Sequence, residues 1–472
     1  MSLHLPLLLA YCVLLVAVGL WIGRRVKTSG DFFVAGRALG PGLLFSTMVA
    51  ANIGAGSTVG AAGLGYRDGI AAWWWVGSAA IGSAVLAFTV GPRMRRIAAE
   101  HGLNTVADFL EHRYGRAVRG TVAALLWVGT LAILAGQLIA LAWILNVVAG
   151  VPKWAGCLVG GLVATTYFAA GGLLTSAWVN VVQIVVKLFG FGIALPVVFA
   201  RAGGLSAVVA ATPGTGDYWN PWQGGGSGFL YLAFLAPAFV VSPGLLQKIY
   251  GARDDRTVRL GVGGNALVLL AFSVVPPLLG IAARALHPGL PNHELALPTV
   301  LMKDMPALLG TLGLAAVVSA ELSSADAILF MLATSLSQDL YRRFVSPRAS
   351  DGQVLRVARW AAVAGGTAGV ALAIVSPSVI DALSLFYTVL SVSLFVPVVA
   401  GLYVRRLGTP EAAAAIAAGV ATLVAAQLAT GGRGWAGLTP ALLGLLAAIT
   451  ACAVVAVRRG TIITQPRNER ST

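Results

Sequence analysis

The stretch MVAANIGAGSTVGAAGLG, residues 48–65, carries the reading of the fold. It is apolar enough to lie in lipid, yet Gly54, Gly56, Gly60 and Gly63 weaken regular helix. Polar Asn52, Ser57 and Thr58 sit near its middle, where polar groups carry a desolvation cost. A second stretch, APAFVVSPG at residues 236–244, is interrupted by Pro237, Ser242, Pro243 and Gly244. Interrupted spans at corresponding places in two halves of a chain point to an inverted-repeat transporter with its site at the interruptions. Small residues also let membrane helices pack closely with no ligand involved, so each glycine alone has two readings. The polar residues at the same break favour the functional one.

The rest of the chain agrees with a lipid solvent. Of 472 residues, 58% are hydrophobic and only 10% charged, with mean hydropathy +0.86, outside the soluble range. Apolar stretches of about 20 residues, each long enough to cross a membrane as a helix, recur about thirteen times. The net charge of +15 is explained by topology rather than by nucleic acid. Of the 32 Lys and Arg, 25 fall in loops after odd-numbered spans, among them Arg93, Arg119, Lys248, Arg342 and Arg458. The positive-inside rule makes that side cytoplasmic, with the N-terminus outside, the C-terminus inside and the inner membrane as location. The first span lacks the basic region and cleavage site of a signal peptide and reads as retained, and no soluble domain is appended. Cys12, Cys157 and Cys452 all lie inside apolar spans and suggest neither a disulfide nor a metal site.

The fold expected is all-α integral membrane, with about 13 transmembrane helices. Spans two to six and seven to eleven each begin with an interrupted helix. An odd number of spans per repeat inverts the second one, giving a 5+5 core with discontinuous helices. One extra helix precedes it and two follow: 1–39 is the N-terminal helix and loop, 40–200 and 201–404 are the repeats, and 405–472 holds the C-terminal helices and tail. NTVADFLEHRYG, residues 104–115, reads as a short amphipathic helix on the inner surface. GDYWNPWQGGG, residues 216–226, reads as an external lid or an interfacial aromatic anchor.

A channel would need a filter motif or charge ring, and neither is evident. An intramembrane enzyme would need paired catalytic groups. Glu321 and Asp326 stand five apart, about 140° around a helix, and share no face. The chain is read as a transporter with no catalytic residues and no obligate protein partner.

In order along the chain, SGDFFVAGR, ANIGAGSTVGAAGLGYRDG, GQLIALA, TTYFAAGGL leading into SAWVNVVQ, and SAELSSADAILFMLATSLSQDLYRRF resemble the sodium:solute symporter family. The resemblance covers nearly the whole chain and implies the leucine-transporter fold and sodium-coupled uptake of a small organic solute by alternating access. It places one transported Na⁺ per cycle at the carbonyls of Ala50, Ile53 and Ala320 and the hydroxyls of Ser323 and Ser324. Independently, a broken helix leaves carbonyls without intrahelical partners. Ala320, Ser323 and Ser324 share a helix face at i, i+3 and i+4. Membrane serines also bond back to their own i−4 carbonyls. The resemblance puts the solute beside the same break, near Asn52, Ser57, Gln137 and Ser242, with Phe386 or Tyr387 as an aromatic gate or as core packing.

The sequence departs from its relatives at VNVVQ, where Asn180 stands in place of an aspartate that many of them carry; a second cation there is not expected. Lys187 and Glu321 instead lie near mid-span, and isolated charges at that depth need partners or water. Three roles are open to Lys187. It forms an ion pair with Glu321, the preferred reading; it substitutes for a cation in the sodium region, which makes the protein a proton-coupled or sodium-independent carrier; or it anchors a solute carboxylate. The last inclines the solute toward an anion or zwitterion.

Overall fold

The computed structural model describes residues 4–23, 39–169, 172–214, 217–222, 228–435 and 437–460, and among these it is all helical apart from two isolated bridges. The SGDFFVAGR loop, Arg467 and Arg470 fall outside the described residues, as do parts of TTYFAAGGL and of GDYWNPWQGGG.

Twelve helices position the site. They are α1 (Pro41–Asn52), α2 (Val59–Asp68), α3 (Trp73–Val85), α4 (Val106–Tyr114), α5 (Arg116–Ala149), α6 (Gly172–Arg201), α7 (Leu232–Val241), α8 (Pro243–Tyr250), α9 (Asp255–Phe272), α10 (Val275–Leu286), α11 (Ala307–Thr334) and α12 (Val379–Tyr403). Ten helical segments of the described residues are long and apolar enough to span a membrane, against about thirteen expected from sequence. The difference has local causes. The second span is divided at its break, so that Pro41–Asn52 stands alone and the rest joins the third, while Lys153–Ala169 is 17 residues long and the first span qualifies only as the shorter helix His4–Leu15.

The first break follows from backbone chemistry. α1 ends at Asn52; Ile53 and Gly54 are extended, a single tight turn spans Ala55–Ser57, and Thr58 starts α2. Gly54 is required by close approach, because a Cβ there would collide with Ser324 and come within 2.7 Å of Gln137 Oε1. Farther along, a Cβ on Gly65 would stand 2.7 Å from Pro277 Cα, so that glycine serves the tight packing of α2 on α10. Both sequence readings of the glycines therefore apply, at different positions.

The second break is set by Pro243. Proline disfavours helical backbone in the residue before it, and Ser242 is extended (φ −54°, ψ 119°), closing α7 and opening α8. The Ser242 carbonyl accepts from the amides of Leu245 and Leu246, satisfying the start of α8.

Around these breaks, α6 packs along α11, and α1 packs against α6, α9 and α11. On α6 the residues Asn180, Gln183, Ile184, Lys187 and Gly190 recur at three- and four-residue spacing and are buried. Val182 and Phe189, on other faces, are 53% and 63% exposed and suit a lipid boundary. α11 is buried almost throughout, which makes it the axis of the bundle.

Candidate solute and cation site

Unwinding at Ile53–Thr58 frees backbone groups that the surrounding side chains satisfy. Gln137, from the middle of α5, accepts the Ala55 amide through Oε1 at 2.8 Å. Ser57 Oγ accepts the Gly54 amide at 3.0 Å and donates to the carbonyl of Asn52 or Gly54. Thr58 Oγ1 donates to Glu321 Oε1 at 2.7 Å, tying the start of α2 to α11. Asn52 donates to Asn265 of α9 at 3.1 Å.

Beneath the break lies a narrow cavity with about 30 Å³ of free space. Asn52, Ser57, Gln137 and Ser324 supply its polar lining; Trp75, Phe239 and Tyr387 supply aromatic walls, with no charged side chain among them. Tyr387 meets Trp75 edge-on at 6.1 Å and Phe239 at 5.3 Å between ring centroids. The structure thus brings Asn52, Ser57, Gln137 and Tyr387 together. Ser242 does not line the cavity, because α7 ends before it and the chain turns away from the face that carries Leu235 and Phe239. Phe386 is buried beside Gly129 of α5 rather than in the cavity.

The oxygens of Ala50, Ile53, Ala320, Ser323 and Ser324 also gather. Ser323 Oγ lies 2.9 Å from the Ala50 carbonyl and 3.1 Å from that of Ala320, and Ser324 Oγ lies 3.1 Å from Ala50 O and 3.4 Å from Ile53 O. Lys187 stands among them. Its ammonium donates to Ser323 Oγ at 2.7 Å, to Ile53 O at 3.3 Å and to Ala50 O at 3.5 Å.

This geometry bears on two of the readings of Lys187. No salt bridge joins it to Glu321 among the described residues: the Glu321 carboxylate turns to Thr58, while Lys187 crosses to the carbonyls freed by the break. It is not among the side chains that line the cavity, although it stands beside Ser324, which is. Asn180 is buried on the same face of α6.

Several residues escaped sequence reasoning. Trp75 and Phe239 read as ordinary apolar span residues. Lys248, counted with the cytoplasmic loop charges, is only 2% exposed and donates to the Thr47 carbonyl of α1 at 3.0 Å. At the basic end of the bundle, Arg119 of α5 binds Asp108 at 2.7 Å, Glu111 at 2.8 Å and Asp339 at 3.0 Å. Arg343 pairs with Glu111, and Thr105 caps α4 while donating to Asp339 at 2.7 Å. The amphipathic helix read at 104–115 is thereby locked to the wide-turn continuation of α11, Ser335–Val345. At the opposite end, Tyr218 donates to the Gly65 carbonyl at 2.9 Å and Trp222 packs on Trp74 at 5.3 Å. The described part of the aromatic segment therefore lies against α2 and α3.

Two broken spans around a polar, aromatic-walled cavity, inside a bundle of apolar helices, define a polytopic membrane transporter. A sequence profile of the sodium:solute symporter family matches residues 32–419, and the chain belongs to that family; it is a transporter and not an enzyme. It is 27% identical to the sodium/pantothenate symporter of Escherichia coli (strain K12), covering 97% of each chain. With the sodium/glucose cotransporter of Vibrio parahaemolyticus it shares 26% identity, over 75% of this chain and 71% of the relative. The structure of a Na⁺-coupled sialic acid symporter superposes with TM-score 0.82 at 18% identity, over 97% of this chain and 98% of the other. Mhp1, a nucleobase-cation-symport-1 family transporter, superposes with TM-score 0.58 at 16% identity, over 92% and 96%. The overall fold is that of these carriers.

Proposed function

We propose that this protein carries a small polar organic solute without net charge into the cytoplasm by alternating access, the solute seated beside Asn52, Ser57, Gln137 and Tyr387. The chain is placed in the inner membrane with its N-terminus outside, and residues 40–200 and 201–404 act as the two inverted repeats. One observation carries the reading: the cavity touches the first break at Asn52–Ser57 and the span of the second at Leu235 and Phe239, and it shares Ser324 with the oxygen cluster. Occupancy of the cavity and closure of the break are thereby coupled. The uncharged lining supports the solute class, since a net charge buried there would meet no countercharge.

Family membership alone supports sodium as the driving ion, one per cycle, at Ala50, Ile53, Ala320, Ser323 and Ser324; the side chains of this chain set a competing reading beside it. The Lys187 ammonium among those same oxygens favours a second reading, a sodium-independent carrier of the same fold. A thermal-unfolding screen of purified protein against neutral, anionic and cationic solutes, in sodium and in potassium salts, tests the solute class. Stabilisation by neutral polar compounds is expected, and stabilisation by anions alone contradicts it.

A further inference from the structure

We infer that the Lys187 ammonium is this chain's own tethered occupant of the cation position, so that α1 is held to α11 at the break, and solute bound, without Na⁺; the inference rests on reading that oxygen cluster as the family's coupling position. The donor count matches. An ammonium has three N–H donors, and Lys187 meets three acceptors, Ser323 Oγ, Ile53 O and Ala50 O. These are oxygens from both of the elements that a bound cation would bridge.

The placement is built into the packing rather than reached by a surface side chain folding inward. Lys187 is fully buried on the face of α6 that meets α11, with lipid-facing Val185 and Phe189 on other sides of the helix. Gly190, one turn on, has no room for a Cβ against Ala316, which fixes how closely α6 approaches α11 and hence where Nζ arrives.

The buried charges around the break are two acids, Glu321 and Asp326, and two bases, Lys187 and Lys248. Glu321 lies on α11 between Ala320 and Ser323, and it bonds to Thr58 across the break. Among these four, two acids already balance two bases. A sodium ion held by the same carbonyls would stand in contact with the ammonium and leave a net positive charge at membrane depth, an arrangement with no compensating partner in the cluster. The serine hydroxyls are also engaged within the cluster, Ser324 with Ala50 O and Ser323 with Ala50 O or Ala320 O.

The test uses the full-length protein in detergent and Na⁺ itself as the probe, because no solute is needed to read ion binding. Thermal unfolding is followed against NaCl, with KCl and N-methylglucamine chloride at equal ionic strength. The wild type is expected to show no sodium-specific shift. Lys187→Ala opens the oxygens and should gain a saturable one, its unfolding equilibrium moving about tenfold when Na⁺ reaches about ten times its dissociation constant. Adding Ser323→Ala to Lys187→Ala should remove that gain. A saturable sodium-specific stabilisation of the wild type overturns the inference, as does a folded Lys187→Ala that ignores sodium. Lys187→Ser serves in place of a variant that does not fold, and the wild-type titration decides the matter alone if neither folds. Failure of the transport reading appears separately, as no solute binding or uptake in any salt.

Discussion

At the scale of the residue, the first break depends on a few contacts that local sequence does not announce. Gln137 is the clearest. Its carbonyl oxygen is the acceptor for the Ala55 amide, and both are buried. Gln137→Ala leaves that buried N–H unpaired, at a cost of about 1–3 kcal/mol, and removes a polar wall of the cavity. The expected outcome is a lower unfolding temperature together with at least a tenfold weaker response to the solute found in the screen, measured by thermal unfolding. Legibility at this scale was uneven. Ser57 and Asn52 stood out because polar groups inside an apolar span need a reason. Gln137 emerged only through the resemblance of GQLIALA, and Trp75 and Phe239 not at all, since an aromatic in a span looks the same whether it faces core or cavity. The depth of Lys187 was readable, but its destination was not. A four-carbon stem reaches several partners, and which one it meets depends on how α6 lies against α1 and α11.

At the scale of the element, the two breaks were legible because glycine and proline act on their own backbone, and the structure places both where the sequence put them. The locking of α4 was not legible, because Arg119, Asp108, Glu111 and Asp339 come from segments up to 231 positions apart and meet only after folding. The Glu111 contribution to this cluster has a pH dependence of definite sign. Burial opposes it, yet the guanidiniums of Arg343 and Arg119 hold the Glu111 carboxyl below its ordinary value. A carboxyl lowered in the folded state contributes stability above its unfolded value of about 4.3, and that contribution is lost as pH falls through the lower folded value. The protection of α4 amides against hydrogen exchange, relative to their intrinsic rates, should therefore fall in wild type but not in Glu111→Gln on acidification through that range. Arg119→Ala, which strands buried carboxylates, should lower stability by about 3–5 kcal/mol at neutral pH. Unchanged unfolding in that variant would show that α4 is held by its apolar face, Val106, Phe109 and Leu110, alone.

At the scale of the whole molecule, composition decided the solvent and the hydrophobic periods decided the helices, whereas the way the helices fit together came from the structure. The count of apolar stretches exceeded the ten segments that meet the length and apolarity of a span because the second and third stretches join past the break, while His4–Leu15 and Lys153–Ala169 fall short in length. Orientation rests on charge asymmetry, a property of loops rather than of packing. A reporter fused after Arg470 should behave as cytoplasmic in whole cells, and a periplasmic signal there would reverse the proposed topology.

The central claim, that solute is carried through the cavity where α1 gives way to α2, is most directly tested by counterflow in proteoliposomes. Vesicles loaded with unlabelled solute, the compound that stabilises best in the screen, are diluted into labelled solute, and Gly54→Ala is compared with the wild type. The added Cβ falls against Ser324 and Gln137, closing the joint between cavity and oxygen cluster. The account predicts transient accumulation of label by the wild type and its loss in a Gly54→Ala protein that is folded. Equal accumulation by both would contradict the claim and place the solute path elsewhere in the bundle.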